Sequence, residues 1–143
     1  MEYPSTIMPD NRITVLLDTN VFIAGYWSPG SASARIIRAC VEGRIQAHYS
    51  PQVKAEADKL LRTAKIPDAY IRSLEDFWAA AEEVQGVSAG PVRVEDPDDQ
   101  KFLEAALGGE TDFLVTNDRH LLRIGFIGRT EILPPGRLVR LLG

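Results

Sequence analysis

ITVLLD, residues 13–18, is an apolar run with a single threonine that ends in an acid, Asp18. Its apolar residues, Ile13, Val15, Leu16 and Leu17, do not alternate with polar ones. Both faces are therefore expected to be covered, as in a strand of a parallel sheet between two layers. Outward from this run, strand-like and helix-like stretches alternate. Residues 21–27 read as a short helix stopped by Ser28-Pro29-Gly30. Residues 32–42 carry Ile36, Ile37, Cys40 and Val41 at helical spacing, with Gly43 as the stop. Residues 45–49 read as a second strand. Ser50-Pro51 then starts a helix, with a capping side chain followed by proline in the first turn.

Pro67 opens a helix expected to run to about residue 84, with Ile71, Leu74, Phe77, Trp78 and Ala81 on one face. Residues 85–94 form a loop with room for one short strand. Asp96-Pro97 begins a helix that Gly108-Gly109 ends. Residues 113–116 and 131–133 are strands, 120–124 a helical turn and 135–142 a closing helix. This order predicts an α/β fold in which a central parallel sheet of four to five strands lies between helical layers. Residues 1–11, with two prolines and no periodicity, are expected to be a flexible tail, and 12–143 a single domain.

The composition, 45% apolar and 25% charged over 143 residues, is that of a globular protein with a sizeable core. No apolar run approaches the roughly 20 residues needed to span a bilayer. The N-terminus lacks the basic-then-apolar order of a signal peptide. The single cysteine, Cys40, cannot form an internal disulfide and reads as core packing, which fits a reducing cytoplasm. A net charge of −4 argues against nonspecific nucleic-acid binding through the whole surface. The basic residues are uneven, however. After Asp118 come Arg119, Arg123, Arg129, Arg137 and Arg140, against only Glu131. That stretch reads equally as a substrate groove or as a solvated face.

Four acids stand where a cation-holding cleft would place them. Asp18 ends the first strand, and Asp118 follows FLVTN after another. In parallel sheets ligands bind outside the carboxyl ends of the strands, near a topological switch point. Glu56 falls on the apolar face formed by Val53, Ala57, Leu60, Leu61 and Ala64, where a solvated glutamate is out of place. The alternatives for Glu56 are outward snorkelling or a buried salt bridge with an arginine. Asp99 shares a face with Phe102, Leu103 and Ala106, but as the third helical residue it also suits a capping box. Asp98 is its rival, and Asp96 is assigned to capping. Asp18 and Asp118 have capping alternatives of their own, and Thr19 and Asn20 are placed to orient the Asp18 carboxylate.

Carboxylates crowded in one pocket repel, and some take up protons. Mg²⁺ or Mn²⁺, which prefer oxygen ligands, relieve that conflict. Such an ion also activates water for in-line attack on phosphorus, with no histidine, cysteine or serine nucleophile.

Asp18-Thr19-Asn20 after a strand, Glu56 in SPQVKAE, Asp96-Pro97-Asp98-Asp99 opening a helix and Thr116-Asn117-Asp118 after a strand together resemble the PIN-domain nucleases. Residues 18–52 are especially similar to the VapC-like toxins of toxin–antitoxin pairs. The resemblance spans about residues 13–133. It implies a three-layer α/β/α sandwich and Mg²⁺- or Mn²⁺-dependent ribonuclease activity on RNA. Asp18, Glu56, Asp99 and Asp118 would be the metal-site acids, supported by Asn20, Thr116 and Asn117. It also implies a homodimer and a small antitoxin that reaches the acidic pocket. Tyr26 and Trp27 are candidates for an exposed apolar patch suited to a partner, or for ordinary core aromatics.

Two other functions compete. A phosphatase or receiver-like domain would use Asp18 as nucleophile, yet the dehalogenase-type DxD pair has Asn20 in its second position here. A PIN-like binding module would keep the fold without catalysis.

Overall fold

The computed structural model describes residues 11–143, so all but the last residue of the expected N-terminal tail lies outside the described part. The chain runs through β1 (Thr14–Leu17), α1 (Thr19–Trp27), α2 (Ala32–Val41), β2 (Gln46–Tyr49), α3 (Pro51–Thr63), α4 (Asp68–Ser73), α5 (Glu75–Ala80) and β3 (Glu82–Glu83). A 3-10 turn (Pro97–Asp99) leads into α6 (Gln100–Gly109), β4 (Phe113–Val115), α7 (Arg119–Leu122), β5 (Phe126–Ile127), β6 (Thr130–Leu133) and α8 (Pro135–Leu142).

The strands form one sheet in the order β3-β2-β1-β4-β6-β5. Every neighbouring pair is parallel except β5 with β6. Six strands are present rather than four to five, because β5, a two-residue antiparallel strand, adds an edge.

Residue alternation along the central strands creates the layers. Val15 and Leu17 of β1, Val115 of β4 and Leu133 of β6 face a core shared with Phe22, Ile36, Leu61, Phe77 and Leu138. Leu16, Leu114 and Ile132 face the opposite core, with Val53, Phe102, Leu103, Ala106 and Leu121. Each residue step along a strand reverses the side chain, so one apolar triplet in β1 feeds both cores. The result is the expected α/β/α arrangement. Cys40 is buried in the first core, and burial pushes its thiol up to about 12, which fits packing rather than chemistry.

Two predicted helices differ from expectation. The segment from Pro67 is not one helix to residue 84. The Leu74 N–H is shared between the carbonyls of Tyr70 and Ile71, which tightens the chain between α4 and α5 while still delivering Leu74 and Phe77 to the core. Ala81 then turns extended, and Glu82 and Glu83 pair with His48 and Tyr49. The short strand foreseen within residues 85–94 thus lies just before them. In α3 the inward stripe is narrower than expected: Val53, Ala57 and Leu61 are buried at strict four-residue spacing, whereas Leu60 and Ala64 are exposed.

Gly108 and Gly109 end α6, but the left-handed residue is Glu110 (φ 48°). The glycines serve close packing instead. A side-chain carbon on Gly108 would lie 1.6 Å from the carbonyl oxygen of Gln85, on backbone that crosses α6 and is tied there by Val87 N–H to Glu104 carbonyl. Gly108→Ala should therefore cost about 1–3 kcal/mol or more in urea unfolding, because backbone must move. Gly136→Ala, whose added carbon comes no nearer than 3.9 Å to Arg140 Nη1, should stabilise α8 by about 0.5–1 kcal/mol. Equal effects would contradict the close approach at Gly108.

Candidate functional site

The sheet order places β2 on one side of β1 and β4 on the other, so the chain reverses direction across the sheet between β1 and β4. Their carboxyl ends are adjacent: the Asp18 N–H donates to the Val115 carbonyl at 3.0 Å, and the Thr116 N–H to the Leu133 carbonyl at 3.0 Å. At such a switch point α/β sheets open a crevice. Asp18, Thr116 and Asp118 line this one.

Asp18 is only 5% exposed. It occupies the N-cap position of α1, where no side-chain hydrogen bond of full capping geometry forms, although the Asn20 backbone N–H lies near enough to favour its charged form. Its Oδ2 accepts from the Thr116 hydroxyl at 2.7 Å, and the Thr116 oxygen in turn accepts from the Asp118 N–H at 2.9 Å. Thr116, fully buried, is thus the bridge between the two aspartates. Burial raises the Asp18 carboxyl above its ordinary range. The Thr116 hydroxyl and the Asn20 backbone N–H oppose that rise, while Asp118 and Glu56 add to it.

Asp118 does cap: its Oδ1 accepts from the His120 N–H at 2.7 Å at the start of α7. Its capping reading is therefore realised through Oδ1. The imidazole of His120 lies 3.7 Å from Asp118 and 3.4 Å from Glu95, an arrangement that strand and helix patterns did not announce.

Asp99 and Asp98 separate clearly. Asp98 is exposed, and its backbone N–H donates to the capping Asp96 carboxylate at 3.0 Å. Asp99 ends the 3-10 turn half-buried and faces Asp118 closely enough for the two carboxyls to share a hydrogen bond. Burial first, then Asp118, Asp18 and Asp96, push Asp99 up to about 7.

Glu56, on α3, is largely shielded and both its oxygens are engaged. Oε2 accepts from the Thr19 hydroxyl at 3.1 Å, and Oε1 pairs with the Lys101 ammonium at 2.6 Å. The salt-bridge alternative is thus present, with a lysine in place of an arginine. Asn20 and Asn117 are exposed at the rim, and of Asn20 only the backbone acts on Asp18.

The structure brings Asp18, Asp99 and Asp118 into one electrostatic field, with Glu56 acting on Asp18 from beyond Thr19. Among the described residues, no three carboxylates, imidazoles or thiolates are so arranged that they would already hold a metal ion. The donor set nevertheless fits a hard divalent cation. It consists of oxygens, and the groups drive one another toward protonation where an added positive charge would let them ionise together. In the basic stretch after Asp118, Arg123 pairs with Glu95, Arg129 with Asp112 and Arg137 with Glu131, while Arg119 and Arg140 are exposed.

The fold is that of a small α/β/α domain with carboxylates at its topological switch point. Residues 14–120 match the family described as PIN domain, and the chain belongs to that family. No curated protein matches it at a significant level. The solved structure of PAE2754 from Pyrobaculum aerophilum is similar at a TM-score of 0.58 and 21% identity, over 91% of this chain and 90% of that one. The structure of VapBC2 from Rickettsia felis bound to a DNA fragment from their promoter is similar at a TM-score of 0.57 and 15% identity, over 84% and 97%. At these identities the likeness concerns the fold.

The raised carboxyls have a consequence for stability. Folded Asp99 keeps its proton up to about 7, whereas an unfolded aspartate releases it near pH 4, so the folded chain binds more protons between those values. Stability of the metal-free protein should fall as pH rises through that window. Asp99→Asn should remove the loss, so that in EDTA its melting temperature gains on the wild type at about pH 8 more than at about pH 4.5. Parallel curves would mean that burial and the neighbouring acids do not raise Asp99.

Proposed function

We propose that this protein is a Mg²⁺- or Mn²⁺-dependent endoribonuclease, the toxin of a toxin–antitoxin pair. The observation that carries this reading is the Asp18–Thr116–Asp118 bridge at the switch point, with Asp99 pressed against Asp118, in a chain of the PIN-domain family. Asp18, Asp99 and Asp118 would hold the ion, with Glu56 as the fourth acid. The bound cation supplies the charge that lets these carboxylates ionise together and the Lewis acidity for phosphodiester hydrolysis.

The chain's own contributions follow from its geometry. Thr116 donates to Asp18 and fixes the oxygen it holds. His120 and the α7 N-terminus restrain one Asp118 oxygen, so the carboxyl is held in a single orientation. Asn20 and Asn117, exposed next to the strand-end acids, would support them from the rim.

The partner reading draws on another surface. Trp27 is 67% exposed and packs edge-on to Tyr26. Beside them α1, α2 and α4 enclose an apolar hollow of about 480 Å³, lined by Gly25, Tyr26, Ala34, Ile37, Tyr70 and Leu74. A surface of this kind supports association with a second copy and with an antitoxin. The similar VapBC2 structure supports the toxin–antitoxin setting. Among the described residues no helix is long and apolar enough to cross a membrane; a cytoplasmic location follows from the toxin–antitoxin reading and not from that.

One observation favours a second reading. Glu56 is already engaged by a cation, and no ready-made metal cage exists among the described residues. That would suit a binding module that keeps the fold without cleaving. A nucleophilic role for Asp18 is disfavoured by its burial and by the Thr116 hydroxyl on one of its oxygens.

Purified protein should cleave RNA with Mn²⁺ or Mg²⁺ and lose activity in EDTA. Asp18→Asn should lower cleavage by about a hundredfold or more without loss of secondary structure. Undiminished cleavage by that variant would remove the metal role of Asp18, and Mn²⁺ binding without any cleavage would favour the binding module. Light scattering at micromolar concentration should give the mass of two chains, and Trp27→Glu should reduce it. A wild-type monomer would exclude the stable dimer.

A further inference from the structure

The Lys101 ammonium sits 2.6 Å from Glu56 Oε1, and the two side chains are only 20% and 21% exposed. Lys101 lies in the first turn of α6, two residues beyond Asp99, and its ammonium also donates to the Asp98 carbonyl. It therefore links α3 to the segment that carries the third acid. With the Thr19 hydroxyl on Oε2, neither oxygen of Glu56 is free. A positive charge already on Glu56 would oppose recruitment of that carboxylate by a divalent ion held at Asp18, Asp99 and Asp118, because the two cations repel.

The ammonium has somewhere to go. Lys101 borders a polar hollow of about 260 Å³ whose walls include Ser50, Gln52, Gln85, Ser88 and Glu104, the last one turn further along α6. A rotation about its flexible stem would exchange one carboxylate partner for another or for water.

We propose that Lys101 is a tethered counter-ion: it occupies Glu56 in the metal-free protein and releases that carboxylate when a divalent cation enters. Metal loading and Lys101 release are then one linked event, and Lys101 is a positioning residue that sets the affinity of the site. This rests on the metal-site reading above. It explains why the acids stand together electrostatically without forming a finished cage.

The test is Mn²⁺ binding, followed by calorimetry or by the spin-resonance signal of free Mn²⁺, in wild type, Lys101→Met, Lys101→Gln, Lys101→Arg, Glu56→Gln and the Glu56→Gln/Lys101→Met pair. Circular dichroism establishes folding of each. Loss of the ammonium should tighten Mn²⁺ binding about tenfold, the scale of a charge-assisted hydrogen bond. Lys101→Arg should stay near wild type. In the Glu56→Gln background the same lysine substitution should gain only about twofold, because the specific competition is already gone. Unchanged or weaker binding by both neutral variants, or an equal gain in both backgrounds, would overturn the counter-ion role and leave the metal site standing. Failure of every variant to bind Mn²⁺ would overturn the metal site itself, and this role with it.

Discussion

Val15, Leu16 and Leu17 are each almost wholly buried, yet they serve opposite cores. That is possible only because β1 is bordered on both sides by parallel partners, β2 and β4, which satisfy its backbone while helices cover both faces. A slip of one residue would send Leu16 to the wrong core and move Asp18 off the strand end. The register of β1 against β4, Leu17 opposite Val115, is therefore also what brings Asp18 beside Thr116. The opposite end of this pair is fastened as well. Thr14 donates to Asp112 through both its backbone N–H and its hydroxyl, and Arg129 holds the other Asp112 oxygen at 2.6 Å. Packing of apolar side chains thus sets the geometry of the acids from below.

The acids in turn strain what the sheet has arranged. Burying Asp18 costs free energy that the Thr116 hydroxyl only partly offsets, and Asp118 and Glu56 increase the cost. Asp99 is held in the same field at the end of a 3-10 turn rather than deep in a helix, where a modest backbone movement can change its distance to Asp118. No buried side-chain nitrogen or oxygen among the described residues lacks a hydrogen-bond partner. The conflict in the crevice is therefore one of charge and not of missing hydrogen bonds. A cation relieves it directly, and a proton or the Lys101 ammonium relieves parts of it.

Much of this was legible from residue order. The apolar runs of β1 and β4 marked the strand ends that carry Asp18 and Asp118, because strand burial is a local pattern. Ser50 and Pro51 marked the start of α3, and Glu56 stood out against its apolar stripe. The short edge strands were less visible. Glu82 and Glu83 have no apolar signature, and they become a strand only because β2 offers its edge to them. The break at Leu74 was hidden because its apolar face continues unbroken from α4 into α5. Lys101 was invisible for another reason: its partner, Glu56, is far away in sequence, and a lysine in a first helical turn gives no local signal of a tertiary ion pair. The choice between Asp98 and Asp99 likewise needed the turn geometry, since adjacent residues share the same composition and nearly the same spacing.

The chain carries a net charge of −4, and Arg123, Arg129 and Arg137, which sequence order gathers into a basic stretch, each face an acid in the fold. Those pairs weaken the long-range attraction of that stretch for a polyanion. An RNA strand approaching the crevice would meet Asp18, Asp99 and Asp118 as repulsion unless positive charge is placed among them. A divalent ion would therefore have two tasks, to neutralise the crevice so that the backbone can approach and to act on the phosphorus once it has. Under the proposed function, approach of the strand and its hydrolysis would then both depend on the metal.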